Sequence, residues 1–333
     1  MNRKGVLKMT GRRDRRAAAL ALAGVLAGAW GCRLELPLLS FRGGQDVLLI
    51  GLVARQEVAP GENPLDLLNP LGPYEALRDA MQQELGRPVR LDLCLRPLLE
   101  PCLRDGHYGV AILSPHEYAL LPGPERFEVI AVATDAAARP ARSALLVVSA
   151  TSPAQTIADL RGRKVAFGLQ RDARAHAAGL ELLREHGLSR GDLSLEVLPL
   201  PGSLRTFPKP RDVMQAVVNG SYDAGFVDEA AWESLPAGGD SLTRGRMRVL
   251  GRTVALPDLL VLASPKLDAA QRERISQTLL ALGHRRPDAL RPLNIAGFAA
   301  IPVEVRAACL RLRQSPALAP TTAPAGGPPA QGS

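Results

Sequence analysis

The sequence predicts an α/β protein of two lobes, each a mostly parallel sheet flanked by helices, with crossover strands joining the lobes. Short apolar runs alternate with amphipathic helical segments, which is the pattern of a parallel sheet covered on both faces. A second series of such alternations begins near Ser143. Two more apolar runs follow after residue 245, and we expect them to return to the first lobe. The chain of 333 residues is long enough for two moderate cores.

The first lobe is predicted to contain four strands, at 47–53, 89–93, 108–113 and 127–133. The run at 47–53 is almost continuously apolar, as in a strand buried on both faces. A helix is predicted at 72–86, between the first two strands, because Pro73 suits the first turn of a helix and Gly86 suits its end. A shorter helix is predicted at 97–105.

The second lobe repeats this alternation, with strands predicted at 144–148, 164–167, 195–198 and 222–227. Helices are predicted at 156–161, 172–187, 210–219 and 229–235, and the helix at 172–187 has one apolar face. The returning part holds strands at 248–250 and 259–262. Its helix at 268–282 begins with Asp268 as the cap and Gln271 three residues later.

The basic net charge of +8 belongs mainly to the N-terminus. Residues 1–16 contain seven basic residues and one acid, so only +2 remains for the chain from Cys32 onward. A nearly neutral domain has little electrostatic attraction for DNA or RNA. Aromatic residues make up 4% of the chain, which also argues against stacking on single-stranded nucleic acid. We therefore expect no nucleic-acid partner.

Residues 1–31 have the parts of an export signal: a basic stretch, an apolar run at 17–30 and a small residue before Cys32. The apolar run has 14 residues, whereas spanning a bilayer takes roughly 20. We expect cleavage before Cys32 and lipid on its sulfur. An ordinary secretory signal cut nearby, or an uncleaved anchor, is the alternative.

These features predict the organisation of the whole chain. A tether at 32–45 precedes the fold, the first lobe comprises 46–140 and 245–313, and the second comprises 141–244. Residues 314–333 are rich in Pro, Ala and Gly and carry no charge, which predicts a disordered tail.

The cysteines and histidines give no strong sign of catalysis. Cys94 and Cys102 lie eight residues apart across a predicted strand-to-helix turn, so they either form a disulfide or are small buried thiols. A metal site made from these two and His107 has little support. No nucleophile-elbow or phosphate-loop motif is found in the sequence. We expect no enzymatic activity, no metal and no cofactor.

Two phrases, Asp159 to Gly168 and Ala216 to Gly225, resemble the phosphate/phosphite/phosphonate-binding proteins of ABC transporters, the PhnD-like family. Phrases at 256–261 and 297–302 extend the resemblance over about 46–312. The resemblance implies a periplasmic-binding-protein type II fold that captures a small, anionic solute between two closing lobes. It also implies delivery to an ABC permease, with a phosphorus oxyanion as the default ligand.

The sequence departs from this family at the turn that follows the strand at 164–167. The family has a Ser/Thr-rich turn there, which offers amides and hydroxyls to the ligand, whereas residues 169–175 have no hydroxyl. We expect Asp172 to cap its own helix, for roughly 0.5–2 kcal/mol, using amides that an oxyanion would otherwise take. Arg171 and Arg174 would suit an anion, since guanidinium groups bind carboxylate or phosphate bidentately. The alternative is a capped surface helix with solvated arginines.

The candidate ligand contacts lie near predicted strand ends. Tyr118 is equally consistent with packing, and Asp228 with capping the next helix. Arg96 stands where the family has an aromatic residue. The candidates are Arg96, Ser114 and Tyr118 on the first lobe and Arg171, Asp172, Arg174, Asp223 and Asp228 on the second.

The expected partners are a small-molecule solute, an ABC permease and the membrane surface, reached through the lipid anchor. The expected location is the periplasm or the outer face of the cell membrane, and we expect a monomer. Two alternatives stay open: a sensory or scaffold lipoprotein that keeps a degenerate binding fold, and an envelope enzyme on the same fold.

Overall fold

The computed structural model describes residues 47–53, 69–196, 202–237, 242–315 and 318. The predicted export signal, the tether with Cys32 and nearly all of the predicted tail lie outside the described residues. Among the helices that are described, none combines the length and the apolar character needed to cross a bilayer.

The strands of the first sheet are β1 (Leu48–Val53), β2 (Val89–Cys94), β3 (Val110–Leu113), β4 (Glu128–Thr134), β10 (Leu260–Ala263) and β11 (Gly297–Ala299). Their order in the sheet is β11-β4-β10-β3-β1-β2. β1 pairs in parallel with β2 and β3, whereas β10 runs antiparallel to β3 and β4, and β11 antiparallel to β4.

The strands of the second sheet are β5 (Ala144–Ser149), β6 (Val165–Gly168), β7 (Thr206–Phe207), β8 (Ala224–Asp228) and β9 (Met247–Arg252). Their order in the sheet is β7-β6-β8-β5-β9. β6 pairs in parallel with β7 and β8, and β5 runs antiparallel to β8 and β9. The predicted α/β fold of two helix-flanked sheets is confirmed, and both sheets are mixed because strands that cross between them add antiparallel pairs.

Helix boundaries follow the predicted signals. The first helix ends at Leu85, before Gly86 in the left-handed conformation at φ 65°. The seventh begins after Asp268, whose carboxylate accepts from the Gln271 amide at 2.7 Å. The helices are α1 (Gly72–Leu85), α2 (Arg96–Arg104), α3 (Pro115–Leu120), α4 (Ala178–Glu185), α5 (Pro210–Val218), α6 (Glu229–Glu233), α7 (Ala269–Arg285), α8 (Pro287–Leu290) and α9 (Val303–Leu312).

A π-helical turn at Ala173–Ala177 precedes α4 and brings the two sheets into contact by side-chain packing. Ala173, Ala177 and Ala178 follow a strand of the second sheet, yet they pack into a core cluster of the first sheet that includes Tyr118 and Cys309. Small side chains allow this close approach. The apolar contact fixes the position of the segment that follows β6.

Three predictions require correction. β9 was assigned to the first lobe, but it pairs with β5 in the second sheet, so the chain returns to the first sheet only after Arg252. A strand was predicted at 195–198, but the strand beside β6 is Thr206–Phe207, and only a bridge between Glu196 and Ser203 occurs at the earlier position. Single short apolar runs carry no information about which strand they pair with.

The possible disulfide is also absent, because Cys94 and Cys102 are both free thiols. Burial raises the pKa of the Cys94 thiol to about 11, and Cys94 Sγ lies 3.3 Å from the Leu95 carbonyl oxygen. Both thiols are therefore free, with Cys94 buried and Cys102 half-buried.

Candidate functional site

A cavity of about 730 Å³ lies at the carboxyl ends of the parallel strands of both sheets. Its wall includes Val53 at the end of β1 and Ser114 just after β3 from the first sheet. From the second sheet it includes Gly168 at the end of β6 and Asp228 at the end of β8. Open α/β sheets bind ligands outside these strand ends, because loops and helix N-termini converge there.

Slightly more than half of the cavity wall is apolar. Side chains from both sheets and several prolines contribute to it, as is usual for a site that receives an organic molecule. The larger apolar residues and prolines are Leu52, Val53, Pro70, Pro73, Tyr74, Leu93, Ile112, Pro115, Leu169, Phe207, Pro208, Pro210, Val213, Phe226, Pro257, Leu259, Pro292 and Leu293.

Four charged residues form a closed ring of ion pairs at one side of this cavity, and we call it the ion-pair square: Arg142, Arg174, Asp228 and Asp258. Arg142 Nη2 donates to both oxygens of Asp258 at 2.8 and 2.9 Å, and Arg142 Nη1 donates to Asp228 at 3.3 Å. Arg174 Nη1 lies 2.7 Å from Asp258 Oδ1, and its Nη2 lies 3.2 Å from Asp228 Oδ2. The four side chains are only 12–21% exposed.

The square joins four separate segments of the chain. Arg142 and Asp258 lie in the two connections between the sheets, and an antiparallel bridge between Arg142 and Leu256 pairs these connections. Arg174 lies on the π-helical turn after β6, and Asp228 ends β8. The charges therefore meet where the chain crosses from one sheet to the other.

The two aspartates stabilise the positive charge of Arg174. Burial opposes its charge, but Asp258 and Asp228 outweigh burial and raise the pKa of the guanidinium group. Two arginines and two aspartates make the square formally neutral. Arg142 Nε also lies 3.7 Å from Asp135 Oδ2. Among the described residues, Arg142 Nε and Arg174 Nη1 are nevertheless buried without a partner in hydrogen-bond geometry.

The helix N-termini beside the cavity are also occupied. Asp172 Oδ1 accepts from the backbone amides of Arg174 and Ala175, both at 3.1 Å, which confirms the predicted cap. Ser114 and Glu117 form a capping box at the start of α3, with bonds of 2.8 and 3.2 Å. Asp228 Oδ1 accepts from the Ala230 amide at 2.9 Å, so its capping role is present too.

Five of the eight candidate contacts are brought together in the cavity wall. These are Ser114, Arg171, Asp172, Arg174 and Asp228.

The other three lie elsewhere. Arg96 is exposed at the first residue of α2. Tyr118 is completely buried in the core of the first sheet, so its packing role is the one that the structure supports. Asp223 accepts from the Lys164 amide at 2.9 Å and pairs with Arg163 at 3.7 Å, outside the cavity wall. Ligand contact by these three residues stays a prediction, which the described cavity wall does not support.

The sequence analysis missed Arg142 and Asp258 as site residues. Asp258 lies in a phrase that resembles the PhnD-like family, and this was the one signal that pointed to it. Arg142 had no signal, because a basic residue just before a strand is common in any protein. Their importance depends on contacts across 86 and 116 positions of the chain.

Two histidines near the site have lowered pKa values, chiefly because they are buried. His116, on α3, has its pKa lowered to about 4 by burial and by the charges of Arg96 and His176. Burial also lowers the pKa of His176, whose Nδ1 lies 3.2 Å from the Gly168 carbonyl oxygen. Within the described residues, no group of three or more His, Cys, Asp and Glu side chains is arranged to hold a metal ion.

The fold and the cavity define a solute-binding protein with its site between two sheets. Residues 62–304 match the family described as ABC transporter, phosphonate, periplasmic substrate-binding protein. The chain belongs to this family, which confirms the resemblance seen in the sequence. The family is one of transport binding proteins and is extracytoplasmic.

Solved structures show the same fold at low sequence identity. XAC2383 from Xanthomonas citri, bound to chloride ion, is 18% identical with a TM-score of 0.57, covering 82% of this chain and 97% of its own. The same protein bound to ATP has a TM-score of 0.56. PhnD1 from Prochlorococcus marinus, in complex with methylphosphonate, is 14% identical with a TM-score of 0.53, covering 81% and 97%. No curated protein matches the sequence.

Proposed function

We propose that the protein captures a small solute in the cavity between the two sheets and presents it to an ABC permease. The observation that carries this proposal is the position of the 730 Å³ cavity at the carboxyl ends of strands from both sheets. Family membership supports a phosphonate or a related phosphorus oxyanion as the class of solute.

In this proposal the two sheets belong to two lobes that close on the solute. We propose that residues 46–140 and those after Arg252 form the first lobe, and that 141–252 form the second. The return to the first lobe is thus placed after Arg252 and not at residue 245, because β9 pairs with β5. A solute that touches both lobes favours the closed state by its differential affinity. The square spans both connections, so it is well placed to hold the crossing segments together.

The location and the remaining partners are proposals from the sequence. We propose that residues 1–31 direct export, that Cys32 is lipidated and that the anchored protein acts as a monomer at the outer face of the cell membrane or in the periplasm. We also propose that it binds its solute without converting it. The transport role of the family supports this.

The test is a thermal-shift screen of the full-length protein in detergent against phosphate, phosphite, phosphonates, sulfonates and amino acids. A solute at a hundred times its Kd stabilises the protein by about 2.7 kcal/mol, which a melting experiment resolves easily. Leu169→Trp adds a large side chain to the cavity wall and should abolish the shift. Leu98→Trp, at a site 52% exposed on α2, is the matched control and should retain it.

Two results would contradict the proposal. A hit that Leu169→Trp leaves unchanged would bind somewhere other than the cavity. A broad screen without any hit would argue against solute capture itself.

A further inference from the structure

The two sheets also meet in an apolar contact outside their connections. Ala173, Ala177 and Ala178 follow β6 of the second sheet, and each is at most 5% exposed. They belong to one core cluster with side chains of α3 and α9, two helices that follow strands of the first sheet. We call this contact the seam: the three alanines on one side, α3 and α9 on the other. Alanine buries little apolar area, so the seam separates more easily than a core of large side chains.

The seam lies directly beside the cavity. Ala173 belongs both to the seam and to the cavity wall. On the opposite side, Ser114 and Pro115 at the start of α3 line the cavity, and Tyr118 one turn later lies in the core cluster of the seam. If the two sheets move apart to widen the cavity, the seam therefore has to separate as well.

α9 is held on the side of the first sheet. Its buried residues lie in the same cluster as Tyr118, and the helix packs against α3. Just beyond its end, Arg313 Nη1 pairs with Glu125 Oε2 at 3.1 Å. Glu125 lies in the turn between α3 and β4, so this ion pair also fixes the end of α9 to the first sheet.

The chain then reaches the second sheet. Ser315, three residues beyond α9, is only 6% exposed, although the sequence predicts that it belongs to a disordered tail. Its amide donates to the Leu312 carbonyl at 3.0 Å, and its hydroxyl donates to the carboxylate of Glu181 on α4. The pKa of Glu181 is lowered chiefly by the hydrogen bond from Arg184 on the same helix, and further by the one from Ser315. The segment from α9 to Ser315 therefore contacts both sheets.

All of these contacts are made within the chain, so they hold the sheets together with or without a solute. A hydrogen bond to a charged group contributes more to stability than one between neutral groups. The seam adds the burial of apolar surface. Relative motion is the default for two units joined by a small interface, and these contacts oppose it.

We infer that the segment from α9 to Ser315 is a strap that holds the two lobes together beside the cavity without help from a solute. This rests on the two lobes of the proposed function and adds what keeps them together. A solute enters only after the seam has separated and the bond between Ser315 and Glu181 has broken. Between solutes, the strap keeps the apolar part of the cavity wall away from water.

The experiment measures the separation of the lobes by double electron–electron resonance. Leu98, 52% exposed on α2, and Arg211, exposed on α5 next to the cavity-wall residue Pro210, are replaced by p-acetylphenylalanine. Spin labels on these keto groups leave the cysteines untouched. The full-length protein in detergent is unfolded in urea and refolded, which removes any bound solute. With the natural strap, the labels should give one main distance, the one that the structure gives for this pair.

Ser315→Ala tests the strap, because it removes only the hydroxyl that joins the two lobes. The population at longer distances should rise at least about fivefold, as expected for loss of a hydrogen bond to a charged group. Arg184→Gln is the matched control, since it removes the other partner of the same carboxylate and leaves Ser315 in place. It should leave the distances unchanged.

A second variant acts on the seam itself. Ala177→Leu overfills a position that is completely buried and should make the longer distance the main one. Urea unfolding shows whether this variant is folded, and if it is not, Ser315→Ala alone decides.

The outcomes separate the strap from the proposed function. A longer main distance in the refolded protein with its natural strap refutes the inference, and so do equal distances in Ser315→Ala and Arg184→Gln. Neither result bears on solute capture, which the thermal-shift screen decides. A screen without any hit, together with the expected distances, would leave the strap standing and refute solute capture.

Discussion

Asp258→Asn is the substitution that tests the ion-pair square most directly. Asn has nearly the same shape as Asp, so the change removes a charge with little change in packing. Asp258 contacts both Arg142 and Arg174, at 2.8 and 2.7 Å, and its side chain is 21% exposed. The variant leaves two largely buried guanidinium groups with Asp228 as the carboxylate that they share in the square.

Breaking a buried ion pair by removing one partner costs about 3–5 kcal/mol, because the remaining charge has lost its compensation. Because Asp258 is partly exposed, we expect the loss of stability in Asp258→Asn to lie at the lower end of this range, about 3 kcal/mol. The free energy of unfolding from urea denaturation measures this loss. Asp223→Asn, whose ion pair is 3.7 Å long and about half-exposed, should cost less than about 0.5 kcal/mol.

A double-mutant cycle extends the test. Arg174→Met with Asp258→Asn leaves one arginine and one aspartate in the square, so the remaining charges balance. The double variant should therefore be destabilised by less than the sum of the single variants, with a coupling of about 1–3 kcal/mol. A cost below about 1 kcal/mol for Asp258→Asn, or additive losses, would show that solvent screens these charges and would refute the reasoning.

Two further predictions concern stability. In the folded protein the pKa of His116 is lowered from 6.5 to about 4, so the unfolded chain takes up the proton first as pH falls. The contribution of neutral His116 to the free energy of unfolding should be fully present above pH 6.5 and should fall by up to about 3 kcal/mol toward pH 4. Urea unfolding across this pH range should show a smaller loss of stability in His116→Gln than in the wild type. The control His284→Gln replaces an exposed histidine and should lose as much stability as the wild type. Equal losses in both variants would contradict the assignment of the pH dependence to His116. Gly225→Ala should cost about 1–3 kcal/mol, because its Cβ would lie 2.4 Å from Val213 Cγ1. Gly191→Ala, with its nearest neighbour at 3.7 Å, should cost less than about 0.5 kcal/mol, and similar values for both would contradict the packing argument.

Local features of the sequence were the reliable guides. The caps by Asp172 and Asp268 were predicted because a cap needs only an acceptor and amides two or three residues away. The end of α1 at Gly86 follows from the same short-range geometry. Five candidate contacts reached the cavity wall because strand ends of parallel sheets converge.

The errors came from long-range pairing. The run that became β9 has apolar residues suited to either sheet, and its partner β5 lies about a hundred residues earlier. Tyr118 follows a strand end as a ligand contact would, yet α3 turns it into the core. Cys94 and Cys102 have a spacing that allows a bridge, but both thiols are free.

The sequence by itself determined the α/β class, the membership of a solute-binding family and the loss of a hydroxyl-rich anion turn, because each depends on neighbouring residues or on spaced phrases. The tertiary structure alone decided how the charges of the site are balanced. The four residues of the ion-pair square come from four segments of the chain. Whether they pair with one another or with a ligand depends on distances of about 3 Å, which are set only when the chain folds.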